Sequence, residues 1–488
     1  MRVFNALILV SAALLLSQSS FAQHTLEPRS YDFGNRWSHY VNSLDTIYHQ
    51  GFSPQVISRK TWKSFRSFDR EMSNRTIKNK WWFRKIRDES VVEVEGSDFF
   101  IAGDVLFNLQ LGRDLAIDST RNLSTNTRGA RIYGNIGKKV YFESTLHENQ
   151  SFYPKYLSDS IRAYRVIPGQ GVPKGFGETG FDYAFVTGLV NFNLNQHFNF
   201  QFGHDKLFIG HGYRSVLMSD NAFNYPFLKM AVTFLDNKIQ YQNTWAQLQT
   251  LDRIPNSGQN EPFYIRRGGS FHYLSFSPNS KVEIGLFEGI TWQRWNNSEG
   301  TMDFDYNFIN PVIFANTFIQ RGNEKYDTLT VSSIGINARV NPINKLTLYG
   351  QLAQQNNQDI NWQLGLFANH MVVRDLSFRA EYNYAIADEV ISHYRQSLGH
   401  ISRGDFNEWI IQADYRWFDA FIKTRFIQAF NDAGVQHEII DLRLGYLMNP
   451  VSNLNFYLGY MNRNATNSLT QWVYLGMQTN INNRYYDF

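Results

Sequence analysis

The sequence of 488 residues contains no cysteine. This absence excludes disulfide bonds, thiolate metal ligands, cysteine nucleophiles and a lipid-modified N-terminal cysteine. Beyond residue 22 there is also no apolar run of the roughly 20 residues that a membrane-spanning helix needs. The net charge is only +4 at pH 7, which is too small by itself to indicate nucleic acid as a partner. The fold must therefore be stabilised by pairing and packing alone.

Aromatic residues, by contrast, are abundant. They make up 16% of the chain, with 27 Tyr, 40 Phe and 11 Trp, although the mean hydropathy is −0.39. High aromatic content at low mean hydropathy favours amphipathic strands over membrane helices.

The first 22 residues have the pattern of a secretory signal. Arg2 supplies a positive charge, residues 6–16 form a short apolar run, and Ser20 and Ala22 place small side chains at the cleavage-determining positions before Gln23. An uncleaved membrane anchor is the alternative, but the apolar run is shorter than a spanning helix needs. We therefore predict that the mature chain begins near Gln23.

Residues 23–97 predict a small N-terminal helical region, either periplasmic or plugging a barrel. Apolar residues recur there at helical spacing, as in the series Trp62, Phe65, Phe68 and Met72. Residues 59–88 contain 11 Lys and Arg against three acidic residues. This basic face is either a solvated surface or a contact for phosphorylated head groups or an anionic polymer, which salt would screen.

From residue 98 onward the hydrophobic period changes to two. Ile334 and Ile336, for example, alternate with Asn337 and Arg339. Successive strand residues face opposite sides, so each segment has an apolar and a polar face. A soluble sandwich shows the same alternation, but here it persists over nearly 400 residues with charges in mid-strand, which a wet lumen tolerates and lipid does not. Residues 98–488 thus predict an all-β fold, a transmembrane antiparallel β-barrel of about 18 strands (16–18).

Connection lengths indicate which membrane holds this barrel. Short connections alternate with long ones, which fall near residues 150–180, 210–224, 249–264, 296–327 and 386–406. Short turns on one side and long loops on the other are typical of the outer membrane. The terminal Phe488, on an aromatic-rich last segment, resembles the recognition signal of the outer-membrane assembly machinery.

The stretch 203–225 carries three glycines followed by a dense set of hydrogen-bonding groups, and we predict that it forms the functional rim of the barrel. An arginine fork matches a uronic-acid carboxylate or a phosphate, while Asp and Asn suit sugar hydroxyls. The alternative is that Arg214 and Asp220 pair with each other or with neighbouring barrel charges. The ligand-binding candidates in this stretch are His211, Tyr213, Arg214, Asp220 and Asn221.

Trp292 and Trp295 form a second candidate site. They end one predicted strand, and Asn296 and Asn297 follow at the start of a long loop. A Trp face beside amides can stack on and hydrogen-bond a sugar ring. An interfacial aromatic belt is the alternative.

Two stretches resemble known families. Residues 203–230, GHDKLFIGHGYRSVLMSDNAFNYPFLKM, are similar to the glycine-rich strand and loop of the Wzi-like capsule-assembly barrels. Residues 79–114, from NKWWFRKIRDES to FNLQLGRD, resemble the entry segment of the RemB-type gliding-motility proteins. The resemblance implies a barrel that binds or organises cell-surface polysaccharide and supports surface attachment or gliding motility. It implies as partners surface polysaccharide or lipopolysaccharide, outer-membrane lipid, and components of a gliding or secretion machinery, but no nucleic acid.

We predict no metal site and no cofactor. His204 and His211 are an odd number of residues apart, which puts them on opposite faces of a continuous strand. The segment after Gly210 lacks the third glycine of a dinucleotide fingerprint. Asp303, Asp305 and Asn307 could present oxygens to Ca²⁺, but they lack the glycine and closing Glu of an EF-hand.

We also predict no catalytic residues, and hence no enzyme. No serine is flanked as a nucleophile elbow, and no pair of carboxylates stands out as an acid and a base. An outer-membrane hydrolase or transferase stays an alternative, which turnover of lipid or peptide by the purified barrel would support. A porin-like channel for small solutes is the main alternative function, because the lumen is polar.

Overall fold

The computed structural model describes residues 24–26, 31–44, 46–72, 80–117, 122–255, 262–296, 300–326, 330–356, 360–386, 392–402, 405–466, 468–481 and 483–488. The predicted secretory signal, residues 1–22, and Asn297 lie outside these ranges.

The chain folds into a closed antiparallel barrel in which the last of eighteen strands pairs with the first. The number of strands agrees with the predicted count of about 18, so the predicted fold is confirmed. The strands are β1 Phe99–Asp114, β2 Leu123–Ile136, β3 Val140–Phe152, β4 Gly180–Asn193, β5 Phe198–Asp205, β6 Tyr225–Phe234, β7 Ile239–Arg253, β8 Tyr264–Asn279, β9 Val282–Gln293, β10 Thr330–Ile343, β11 Leu346–Gln355, β12 Ile360–Asn369, β13 Leu376–Ala385, β14 Phe406–Trp417, β15 Ala420–Asn431, β16 Gly434–Asn449, β17 Leu454–Ala465 and β18 Ser468–Gln478.

Alternation along each strand separates a wet lumen from an apolar outer surface. On β13, Arg379, Glu381 and Asn383 are buried towards the lumen, while Phe378 faces outward and is 38% exposed. The same outward register exposes large apolar side chains around the wall, including Val105, Leu146, Val190, Leu228, Ile336, Leu352, Leu364, Ile440, Leu458 and Leu475. Such a continuous apolar surface requires lipid, and the protein is therefore an outer-membrane barrel.

The two ends of the barrel differ in connection length. At one end the eight connections that join β2 to β3, β4 to β5 and so on to β17 have two to six residues. At the other end lie the long connections, including 153–179, 206–224, 294–329 and 386–405. In outer-membrane barrels the short turns face the periplasm and the long loops face the cell exterior.

Among the described residues, five short helices accompany the barrel: α1 Tyr31–Ser43, α2 Arg59–Met72, α3 Trp81–Arg87, α4 Lys155–Tyr164 and α5 Ala315–Arg321. Single 3-10 turns occupy Tyr306–Ile309 and Glu324–Tyr326. Within the described residues, none of the helices combines the length and the apolar character needed to cross a membrane.

The N-terminal region lies in the short-turn mouth of the barrel. Helices α1 and α2 share an aromatic core that includes Trp37 and Phe65. The following segment rises along the lumen, where the Gln50 amide donates to Glu283 on β9 at 2.9 Å. Short strand pairings involve the N-terminal region: His24–Leu26 with Val56–Ser58, Phe52–Ser53 with Phe208–Ile209, and Val92–Glu95 with β1. A further short strand, Lys174–Phe176, pairs with β4.

Candidate binding sites in the lumen and on the long loops

The predicted stretch 203–225 begins on β5 but then folds into the lumen, and it does not form a rim. Tyr213, Arg214 and Ser215 are only 1%, 0% and 0% exposed. Ser215 shapes this turn, because its Oγ donates to the Ile209 carbonyl at 2.6 Å and accepts from the Met218 amide at 3.2 Å. The turn aims consecutive amides and the Arg214 guanidinium at carboxylates on the barrel wall, which explains why the stretch enters the lumen.

Arg214 lies at the centre of a buried ion-pair network. Its Nη2 donates to Glu408 Oε1 on β14 at 3.1 Å, and its Nη1 donates to Asp487 Oδ1 at 3.2 Å. The backbone amides of Tyr213 and Arg214 donate to the two carboxylate oxygens of Glu381 at 2.7 and 3.0 Å. Arg214 thus pairs with barrel charges, as one of the two alternatives anticipated. A ligand role for Tyr213 and Arg214 stays a prediction, and it would require a ligand to replace these contacts with the carboxylates.

The C-terminal tail, described over residues 479–481 and 483–488, turns back into the barrel after β18. Asp487 accepts hydrogen bonds from the Tyr213 hydroxyl and, at 2.6 Å, from Arg425 Nη1 on β15. Arg463 Nε donates to the Phe488 carbonyl at 2.9 Å, and the Phe488 ring lies 6.2 Å from that of Tyr156. The terminal phenylalanine therefore lies inside the barrel and beyond the last strand.

His211 and Asp220 line a luminal cavity of about 140 Å³, together with Lys206, Arg339 and Arg379. Asn337 Nδ2 lies 3.1 Å from His211 Nε2. Burial lowers the pKa of His211 to about 4, with Glu283 opposing the shift and Arg339 and Arg379 adding to it, so the imidazole is neutral at pH 7. Three cationic side chains against one carboxylate suit a small anionic group.

Asp220 and Asn221 are held by neighbouring segments. The Tyr485 hydroxyl of the tail donates to Asp220 Oδ1, and Lys206 Nζ donates to the Asp220 carbonyl at 2.9 Å. Asn221 Nδ2 donates to the Gly399 carbonyl at 2.8 Å. A ligand role for these side chains stays a prediction.

The two tryptophans of the second candidate site lie apart from the lumen. Trp292 is 3% exposed, faces outward from β9, and packs 5.0 Å from the ring of Phe308. Trp295 is half-buried in a small hairpin in which Trp295–Asn296 pairs with Gly300–Thr301. The Trp292 ring is covered by protein, so its role in stacking on sugars also stays a prediction.

Asp305 of the long loop makes its hydrogen bonds within the loop. Asp305 accepts from the Asn307 amide at 3.0 Å and from the Tyr326 hydroxyl at 2.7 Å. In the part of the chain that the structure describes, no group of three or more His, Asp or Glu side chains is arranged to hold a metal ion.

A small hairpin on the long-loop end was not anticipated from the sequence. Ser392–His393 pairs with Gln396–Ser397, which leaves Tyr394 and Arg395 as a two-residue turn with φ of 50° and 58°. Positive φ at both central residues is the pattern of a type I′ turn, which strongly prefers Asn-Gly. A tyrosine and an arginine are strained there, and such strain is retained mainly at functional sites.

The hairpin forms an aromatic and basic surface with the outer ends of β7 and β8, here named the Tyr-Arg platform (residues 249–255, 262–267 and 392–397). The Tyr394 and Tyr264 rings lie 6.0 Å apart at 73°, and the guanidinium of Arg253 lies 4.9 Å from the Tyr264 ring centre. Arg395 Nη2 contacts Asp252 Oδ1 at 2.6 Å. The charged residues described in the platform are Asp252, Arg253, Arg266, Arg267 and Arg395, and the sequence also places Glu261, Asp388 and Glu389 in the same two loops.

Sequence reasoning missed the platform because its parts lie more than 120 residues apart. Arg267 Nη1, for example, contacts Ser392 Oγ at 3.3 Å across 125 residues. The one local signal was the run of Tyr264, Arg266 and Arg267 directly after a predicted long loop.

Comparison with known proteins supports the fold. No family model and no characterised protein sequence matches the chain. Among solved structures, Wzi of Escherichia coli, an outer-membrane protein involved in group 1 capsule assembly, is similar with a TM-score of 0.54 at 13% identity, over 94% of this chain and 100% of Wzi. OpdK of Pseudomonas aeruginosa with vanillate gives 0.46 at 10% identity over 78% and 98% of the two chains, and a BenF-like porin of Pseudomonas fluorescens gives 0.45 at 10% over 78% and 97%. The chain thus shares the fold of an outer-membrane barrel whose solved representatives include a capsule-assembly protein.

Proposed function

We propose that this protein is a closed outer-membrane barrel that binds acidic cell-surface polysaccharide on its Tyr-Arg platform. The observation that carries the proposal is the filling of the lumen by three separate segments. The N-terminal region enters from the short-turn end, the loop 206–224 enters from the long-loop end, and the tail 479–488 lies between them. A filled lumen disfavours conduction of solutes and leaves the long loops as the working surface.

The chemistry of the platform selects the ligand class. Tyrosine rings can stack on sugar rings, and arginine forks can pair with carboxylates in a bidentate geometry. The exposed side chains of Arg253 and Arg266 can pair with the carboxylates of an acidic polymer, which favours such a polymer over a neutral one. The barrel of similar fold, Wzi, is described as carbohydrate-binding, which agrees with this proposal. Polysaccharide held in this way would support surface attachment or gliding motility.

The test replaces the two turn residues of the hairpin with residues that keep the turn folded. Tyr394→Asn with Arg395→Gly installs the preferred type I′ residues while removing the ring and the guanidinium. We expect at least tenfold weaker binding of uronic-acid glycans on an array, with an unchanged or higher melting temperature. Arg162→Ala, on α4 at the same end of the barrel, is the matched control for loss of one exposed arginine.

Planar-bilayer recordings separate binding from transport. We expect the intact protein to show no steady conductance. A stable open channel, together with glycan binding that the turn replacement leaves unchanged, would identify the protein as a porin and reject the proposal.

A further inference from the structure

One loop covers the outside of the barrel wall. This outer strap, residues 300–326, contains α5 and lies against the outward faces of β7, β8 and β9. On β9, Ile284 and Glu288 share the outward register, and Ile284 is 45% exposed on the lipid-facing surface. Glu288, four residues along the same face, is 0% exposed because the strap covers it.

The outer strap is fixed to the wall by Glu288. Glu288 Oε1 accepts from the Thr317 amide at 2.6 Å and from Thr317 Oγ1 at 2.7 Å, and Glu288 Oε2 accepts from the Phe314 amide at 2.6 Å. The carboxylate thus satisfies amides at the first turn of α5, where backbone donors otherwise have no partner. A carboxylate on the lipid face of a strand is unfavourable without such a cover.

Other polar groups of the outward wall are covered in the same way. Asn316 Nδ2 lies 3.2 Å from both Ser270 Oγ and His272 Nε2 on β8. Tyr241 on β7 donates to the Pro311 carbonyl at 2.5 Å. The wall around Ser270, His272 and Glu288 is therefore a polar patch beneath the strap, beside the apolar side chains of Ile290 and Trp292, which the strap also covers.

In α5, three polar side chains face the wall and one large apolar side chain faces away from the protein, although Ile319 packs against the wall cluster of Ile290, Trp292 and Phe308 and Arg321 is exposed. Asn316, Thr317 and Gln320 are at most 7% exposed and face the wall, whereas Phe318 is 76% exposed. Tyr306 and Val312, elsewhere on the strap, are 77% and 60% exposed. A surface helix in water keeps its apolar side chains against the protein. Apolar side chains pointing away from the protein indicate an apolar surrounding.

The position of Glu288 along β9 agrees with a membrane setting. Glu288 is six residues beyond Val282 at the short-turn end of the strand. At about 3.4 Å per residue and a strand tilt of about 40°, it lies roughly 15 Å above that end, within an apolar band about 25 Å tall.

We propose that the outer strap is immersed in the outer leaflet of the membrane, where Phe318, Val312 and Tyr306 contact lipid acyl chains. The strap then acts as part of the lipid-facing wall and replaces lipid over the polar patch. Its occupant is lipid because its exposed apolar residues continue the apolar outer surface of the barrel. This inference is independent of the glycan site.

Because the chain contains no cysteine, a single introduced cysteine can be labelled specifically. A nitroxide is placed at Phe318→Cys or Val312→Cys in protein reconstituted into phosphatidylethanolamine–phosphatidylglycerol vesicles. Leu364→Cys, 60% exposed on the outer face of β12, is the lipid control, and Tyr164→Cys, 57% exposed at the end of α4, is the water control. Collision rates are measured with oxygen, which partitions into lipid, and with a nickel chelate, which stays in water.

We expect the oxygen-to-nickel ratio at both strap positions to match Leu364→Cys within twofold and to exceed Tyr164→Cys at least fivefold. A ratio equal to that of the water control, in protein that keeps its heat-modifiable band on gels, would overturn the proposal. Glu288→Ala should raise nickel access at Phe318→Cys several-fold, since the strap loses its anchor. Unchanged access in that variant would show that Glu288 does not hold the strap.

Discussion

Replacing Arg214 with methionine tests whether this residue closes the lumen or contacts a ligand. The change keeps most of the side-chain length and removes a charge that faces Glu408 and Asp487 at 3.1 and 3.2 Å. Removing one partner of a buried ion pair costs about 3–5 kcal/mol, because the remaining charge stays buried without its partner. Here both carboxylates keep a second partner, since His400 lies 3.1 Å from Glu408 and Arg425 lies 2.6 Å from Asp487.

We therefore expect a loss at the lower end of that range, about 3 kcal/mol in the free energy of unfolding, or roughly a 150-fold change in the unfolding equilibrium. Urea unfolding in detergent, followed by tryptophan fluorescence, measures this difference. Adding Glu408→Gln to Arg214→Met removes one of the two buried carboxylate charges that faced Arg214 and should recover about 1 kcal/mol or more. Arg162→Met, a matched exposed arginine, should change stability by less than about 0.5 kcal/mol.

A glycan-binding measurement on the same variant can refute the explanation that Arg214 acts only in the buried network. The network explanation predicts that Arg214→Met leaves platform binding within about twofold at temperatures where the variant is folded. Unchanged unfolding together with lost glycan binding would show instead that Arg214 contacts the ligand, as its arginine fork first suggested.

The pH dependence of stability should depend on His39 of α1 and His370, whose rings stack 4.1 Å apart. Burial, reinforced by neighbouring cationic side chains, lowers the pKa of each to about 4 from an ordinary value of 6.5. The unfolded chain then binds more protons, so the melting temperature should fall as pH drops from 6.5 towards 4, and His39→Gln should flatten that fall. Deleting residues 483–488 removes the tail from the lumen and should produce conductance in planar bilayers, whereas a silent truncated barrel would show that the tail is not needed for closure. Gly212→Ala should destabilise the protein by about 1–3 kcal/mol, because a Cβ there would lie 2.5 Å from a wall carboxylate oxygen, while Gly188→Ala, with open space around it, should be neutral in the same melting assay.

The wall of the barrel was predictable because its rule is local. Each strand needs only an apolar face for lipid and a polar face for the lumen, and this demand repeats at period two. On β13, the alternation of Phe378 with Arg379 and Glu381 shows the rule within a few residues. Eighteen such segments could be found without knowledge of what any of them contacts.

The filling of the lumen could not be predicted in the same way. Arg214 finds its partners 194 and 273 residues away, and period and composition carry no information on such pairing. The glycine-rich loop therefore suggested a rim, whereas its polar groups are satisfied inside. The gliding role implied by the resemblance of residues 79–114 stays a prediction.

Glu288 departs from the alternation of apolar outward and polar luminal residues, and this departure is informative. Glu283 and Glu288 lie on the same strand at an odd separation, so one of them must face away from the lumen. Because lipid does not accept a carboxylate, the sequence already required a covering segment outside β9. The structure identifies that segment as residues 300–326.

Closure of the lumen and exposure of the long loops are two consequences of one arrangement of charge. Segments that reach the lumen meet carboxylates such as Glu283, Glu381 and Glu408, which are buried and paired with them. Opening a path would separate several buried pairs at once, each with a cost of a few kcal/mol. A small solute that gains only a few weak contacts cannot supply this free energy. Arginines on the platform such as Arg253 and Arg266 face water, so a polymer can engage them without disturbing the core. Buried charge thus favours a shut lumen, and exposed charge stays available on the platform. This contrast is the reason for proposing a surface receptor for acidic polysaccharide and not a gated pore.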